Sequence, residues 1–179
     1  MNDTACEKEL AIRHLLARSS DCVWRKSIHE YGECWATDGE WHILGQVAHG
    51  RDEVKALWWR FMDNLQAAWQ VAQTIILEIG DDPPAYGRIY LEETLRLPDG
   101  TVNLARGIYH DTYKIEAGHW VFSKRHFDLI YMGPADMTGR FFSTANYGPA
   151  PRDPDPSRPA TPTMTEAYGP ARSDGSSHM

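Results

Sequence analysis

The 179-residue chain has few cysteines, a deficit of positive charge and no long apolar run. Its three cysteines, Cys6, Cys22 and Cys34, are an odd number at spacings that fit no zinc pattern, so they read as reduced thiols of a cytoplasmic protein. Eighteen Lys and Arg against 25 Asp and Glu give a net charge of −7, which argues against a nucleic-acid partner. No apolar stretch approaches the roughly 20 residues of a membrane span. Asn2 to Leu10 is too polar and too mixed in charge for a signal peptide. There is no Gly-x-Gly-x-x-Gly turn, phosphate-binding loop or nucleophile elbow, which disfavours nicotinamide redox chemistry, phosphoryl transfer and serine hydrolysis. The histidines show neither His-x-His nor His-x-x-x-His spacing, so no metal is expected, and no other cofactor is implied.

What is present is a long alternating stretch, Gly107 to Arg125, that turns at Ala117-Gly118. Side chains in a strand alternate faces, so Gly107, Tyr109, Asp111 and Tyr113 share one side. A carboxylate between two phenols is unusual for plain core and predicts a sheet that lines a chamber.

The rest of the chain predicts an α+β layer fold, because helical periods come first and strand periods later. Leu10, Ile12, Leu15 and Leu16 set a helix over about residues 4–18, and Asp21 is a plausible N-cap for a second helix reaching about Trp35. Glu40 to Ala48 reads as a strand. A third helix opens at Gly50-Arg51-Asp52 and buries Val54, Leu57, Trp58, Phe61, Met62 and Leu65. Four strands follow: Trp69–Ile79, Tyr86–Leu97, Thr101–Glu116 and Trp120–Met132, with turns at Asp81–Pro84 and Pro98–Gly100. Residues 1–133 thus form the domain. From Pro134 to residue 179 the chain holds eight of its eleven prolines and reads as a poorly ordered arm, with Phe141, Phe142 and Tyr147 able to dock on the domain or a neighbour.

This order, with Asp38-Gly-Glu-Trp41, Gly107-x-Tyr109-x-Asp111 and Gly118-x-Trp120-x-Phe122-x-x-Arg125, resembles the SnoaL-like branch of the NTF2-like superfamily over about residues 8–133. The resemblance implies a conical α+β barrel, three N-terminal helices on a curved, mostly antiparallel sheet, with a deep apolar pocket. It also implies a cofactor-free lyase or isomerase that is a homodimer or homotrimer. Dehydrochlorinases and dehydratases of this group pair a His on the strand after the third helix with an Asp early in the second helix. Alignment on Asp38-x-x-Trp41 puts Trp24 at the Asp position, and alignment on Ile75 to Glu78 puts Gln70 at the His position. The usual dyad is therefore missing, while Arg125, Trp41 and Tyr109 match pocket positions of the family.

The catalytic candidates are Asp111, Tyr109, Arg125 and Tyr90. Desolvation disfavours an ionised carboxylate and suits it to proton transfer; the alternative is that Asp111 only pairs with Arg125 to close the barrel end. Arg125 could stabilise developing negative charge, and Tyr109 and Tyr90 could hold or protonate an oxygen. Trp24, Trp41, Gln70, Glu92 and Leu129 are expected to contact the substrate; Glu92 shares the face of Tyr90 and is a possible base if that face is inward, and is solvated if the strand register is shifted. His110, out of phase with Tyr109, should face outward. Six tryptophans between residues 24 and 69 suit a small hydrophobic or aromatic ligand. The sequence thus points to elimination of water or a one-carbon fragment from an aromatic or polycyclic alcohol, with isomerase or aldol-cyclase chemistry, or ligand binding alone, as the alternatives.

Overall fold

The computed structural model describes residues 4–143, 147–151 and 162–168. Helix α1 runs over Ala5–Arg25 without a break at Asp21. Its buried stripe, Ile12, Leu15, Leu16, Ser19, Cys22 and Val23, keeps helical spacing through that point, and Asp21 is exposed and paired with Arg25 one turn on at 2.7 Å. Thr4 and Glu7 close the N-terminus as a capping box, and Lys26 ends the helix in the left-handed region. A short α2 (Ile28–Glu33) follows, so the second helix stops before Trp35.

Trp35 opens β1 (Trp35–Ile43), which turns through Leu44 and Gly45, both at positive φ, into β2 (Gln46–His49). This two-residue hairpin replaces the single strand expected over Glu40–Ala48, because positive φ at successive positions is what a tight hairpin requires. Then come α3 (Gly50–Asp63), β3 (Ala67–Glu78), β4 (Ala85–Arg96), β5 (Val102–Glu116), β6 (His119–Gly133), the short β7 (Arg140–Phe141) and α4 (Met164–Tyr168). The sheet order is β2-β1-β6-β5-β4-β3, with β7 on β6; only β1 and β6 pair in parallel.

The helices cover one face of this open, mostly antiparallel sheet, which makes the fold α+β. Cross-strand register assigns the faces. Ile89, Tyr109 and Phe127 stand opposite one another, as do Leu91, Gly107 and Leu129, and all of them bury toward the helices. Gly107 lacks a side chain where a Cβ would lie 2.2 Å from the Phe127 ring, so that ring can cross the strand. The other face carries Arg88, His110 and Asp128. His110 faces away from the helices, as its phase requires, yet it is wholly buried. Residues 147–151 cover it: the Tyr147 ring lies 4.4 Å from the His110 ring, and Arg88 donates to the carbonyls of Tyr147, Gly148 and Ala150. Phe142 also docks, its N–H donating to Ile130 O at 2.9 Å. Most of the proline-rich run from Arg152 lies outside the described residues.

Candidate active site

A cavity of about 800 Å³ opens between the helices and the inner face of the sheet. Trp41, Trp58, Phe61, Leu95, Phe127 and Leu129 make most of its wall apolar, and Met164 of α4 reaches it from the far end of the chain. At one place polar groups converge. Gln70 on β3 and Glu93 on β4 are directly paired across the ladder. The Gln70 amide nitrogen donates to Glu93 Oε1 at 2.6 Å and to the Tyr109 hydroxyl at 3.4 Å.

Glu93 is the carboxyl at this convergence of polar groups, and its position follows from strand phase. Ile89, Leu91, Glu93 and Leu95 alternate on β4, so Glu93 takes an inward slot in an otherwise apolar row. The cavity leaves part of its surface accessible, but protein encloses it. Burial raises its carboxyl above the ordinary carboxylate range, with the Gln70 donor and the charge of Arg125 partly opposing. Burial, reinforced by Glu93, likewise raises the Tyr109 phenol well above its usual value, so it keeps its proton.

The same phase corrects two expectations. Tyr90 and Glu92 lie on the opposite face of β4 from Glu93, away from the cavity. Tyr90 pairs with Ile108, and Glu92 holds Arg106 at 2.9 Å. The alternation of Ile89, Leu91 and Leu95 was the signal that would have singled out Glu93.

Asp111 is also displaced from its expected role. It does share a face with Tyr109, but neither it nor Arg125 lines the cavity. Arg125 grips Asp111 through Nε and Nη2, both at 2.7 Å, and Tyr113 donates to Asp111 at 2.9 Å. The guanidinium is sandwiched between the Tyr109 and Phe122 rings, 3.9 and 3.8 Å from their centroids. Desolvation opposes its charge, but Asp111 outweighs that and holds Arg125 more firmly protonated than a free arginine. The pair is sealed beneath Tyr109.

Trp24 misses the cavity too. It is 54% exposed, tilts against Trp69 and donates its indole N–H to the backbone carbonyl of Gln70 at 2.9 Å. Trp41, Gln70, Tyr109 and Leu129 do line the cavity. Among the described residues no group of His, Cys, Asp and Glu is arranged to hold a metal ion, and no helix is long and apolar enough to cross a membrane.

The chain belongs to the SnoaL-like family: the SnoaL-like domain matches residues 4–126. The structure is similar to that of LinA, 22% identical over 77% of this chain and 95% of that one, with a TM-score of 0.66. It is similar to a scytalone dehydratase-like protein of Novosphingobium aromaticivorans, 20% identical over 84% and 99% of the two chains, TM-score 0.69. A hexachlorocyclohexane dehydrochlorinase, LinA-type3 of Novosphingobium barchaimii, is 19% identical over 77% and 95%, TM-score 0.64. No curated protein sequence matches the chain significantly. At these identities the neighbours define the fold.

Proposed function

We propose that the protein is a cofactor-independent lyase that removes water from a small aromatic or polycyclic alcohol, with Glu93 as the proton-transfer group. The observation that carries this reading is the enclosed Glu93 carboxyl, held 2.6 Å from the Gln70 amide beside the Tyr109 phenol on an inward strand row of apolar residues. A carboxyl whose proton affinity is raised by burial can act as an acid and, once it has given up its proton, as a base. Glu93 protonates the departing hydroxyl oxygen as the C–O bond breaks, releasing water. The resulting carboxylate takes the proton from the adjacent carbon, whose C–H electrons become the new double bond, and Glu93 ends as it began. Tyr109 donates to the substrate oxygen and holds it over the carboxyl, while Gln70 fixes the Glu93 carboxyl and the Tyr109 hydroxyl in place. The acid–base role passes from Asp111 to Glu93 because Asp111 is sealed by Arg125 and Tyr113.

Moving a proton between two carbons of an enolisable ketone would use the same three groups, so isomerisation is the second reading. Membership of a family with dehydrochlorinase and dehydratase relatives supports elimination first. Exposed Trp69 and Val71 on the outer face of β3 support a homodimer or homotrimer. The test is Glu93→Gln, assayed against a panel of aromatic and polycyclic alcohols for loss of water. Turnover should fall by about 10²–10⁴-fold, the usual worth of an acid–base group. Full activity in this variant rejects the reading.

A further inference from the structure

Helix α1 grips a single residue of the opposite layer twice. Ser20 and Trp24 are four apart and share a helix face. The Ser20 hydroxyl donates to the side-chain oxygen of Gln70 at 3.4 Å, and the Trp24 indole donates to the backbone oxygen of the same residue at 2.9 Å. An amide has one acceptor end and one donor end. With its oxygen turned to Ser20, the Gln70 nitrogen must face Glu93 and Tyr109, where it lies 2.6 Å and 3.4 Å from their oxygens.

The orientation decides what the cavity offers a ligand. Glu93 Oε1 accepts from Gln70, so the acid proton of Glu93 belongs on Oε2. Tyr109 receives from Gln70, so its own O–H is released for another acceptor. If the amide turned over, its oxygen would face Glu93 and capture that acid proton in an internal O–H···O bond. A protonated neighbour makes this flipped arrangement feasible, so something must select against it, and Ser20 is the group in contact with the amide oxygen.

We propose that Ser20 is a positioning residue that keeps the Gln70–Glu93–Tyr109 end of the cavity a hydrogen-bond donor site, and that the ligand class this end selects carries an oxygen acceptor, a carbonyl or leaving hydroxyl. This rests on the proton-transfer reading above and deepens it. Ser20 does not line the cavity, so it acts through Gln70. Donation from Gln70 favours ionised Glu93, whereas a flipped amide favours the neutral acid. Ser20→Ala should therefore move Glu93 further toward the protonated form.

Two measurements test this. The first is infrared titration of the Glu93 carboxylic-acid band, assigned by subtracting the spectrum of the matching Glu93→Gln protein. The band should persist to higher pH in Ser20→Ala than in wild type, and Ser20→Thr, which keeps the hydroxyl, should restore the wild-type midpoint. The second is binding of 2-acetylnaphthalene against 2-isopropenylnaphthalene, which has the same shape without the oxygen. Wild type should hold the ketone about fivefold more tightly, the worth of about one net hydrogen bond. Ser20→Ala should bring the two probes near parity, and Ser20→Thr should keep the margin. A raised wild-type midpoint that Ser20→Ala leaves unmoved, or a ketone margin it leaves intact, overturns the role of Ser20 alone. A wild-type Glu93 that titrates in the ordinary carboxylate range overturns the proton-transfer reading itself.

Discussion

Arg125 holds Asp111 with two N–H···O contacts of 2.7 Å, and both side chains are almost fully removed from solvent and from the cavity. The two groups lie opposite each other across β5 and β6, so the pair clamps adjacent strands. Removing one partner of a buried ion pair leaves the other charge uncompensated, which typically costs about 3–5 kcal/mol. Asp111→Asn should lower the free energy of unfolding by that order in urea denaturation. A variant of full stability with depressed turnover would return Asp111 to the chemistry.

Glu93 predicts a pH-dependent stability of definite sign. Its folded pKa is raised by burial above its unfolded value, so the stabilisation is complete below the unfolded pKa, about 4.3, and is lost as pH rises through the folded pKa. Glu93→Gln removes the titration while keeping a polar side chain of similar size. The variant should gain melting temperature relative to wild type as pH rises from about 4 toward neutrality. Parallel melting curves across that window would mean that burial does not raise the Glu93 carboxyl above its unfolded value.

The sequence displayed the layer order and the four long strands to within a few residues, because period-two alternation survives in β3 to β6. It was less informative where two residues of one type compete for one slot. Glu92 and Glu93 are adjacent, and only the apolar phase of Ile89, Leu91 and Leu95 tells which carboxyl turns inward. Asp111 shows a second limit. Its face was legible, but its distance below the cavity depends on how Arg125 packs under Tyr109, and strand periodicity carries no such depth. His110 shows a third: its burial comes from Tyr147, 37 positions along the chain. Asp21 resembled a cap because the polar run Ser19-Ser20-Asp21 hides the buried stripe that resumes at Cys22.

Gly107 is a packing requirement of the cavity floor. An alanine there would place its Cβ 2.2 Å from the Phe127 ring and 2.7 Å from the backbone oxygen of Asp128. The ring can swing away, but the backbone of a paired strand cannot. Gly107→Ala should cost about 1–3 kcal/mol or more and displace Phe127, read as a lower melting temperature and weaker binding of hydrophobic probes. An unchanged protein would mean that β5 and β6 separate more easily than their register suggests.

The segment carrying Tyr147 is held to the outer face by a buried polar group. Its hydroxyl donates to Asp128 Oδ2 at 2.5 Å, and Asp128 also contacts His110 at 3.2 Å. Tyr147→Phe keeps the ring against His110 and removes one hydrogen bond to a carboxylate, worth about 1.5–3 kcal/mol. Limited proteolysis after residue 143 should become faster while the domain's own melting temperature falls by only a few degrees. Equal proteolysis in both proteins would assign the docking to Arg88 and its three carbonyl contacts instead.

Tyr109 separates packing from chemistry. Its ring covers the Arg125 guanidinium at 3.9 Å and touches Phe127 with centroids 5.2 Å apart, while its hydroxyl meets Gln70 at the cavity. Tyr109→Phe keeps the stack and deletes only the proton-bearing oxygen. Because the hydroxyl contact is long and faces a cavity, its loss should cost no more than about 1 kcal/mol of stability. Turnover should nonetheless fall by about 10²-fold if the phenol holds the reacting oxygen, with the pH limb set by Glu93 preserved. A variant that melts with wild type and turns over at the wild-type rate would remove the phenol from the chemistry and leave the proton transfer to Glu93.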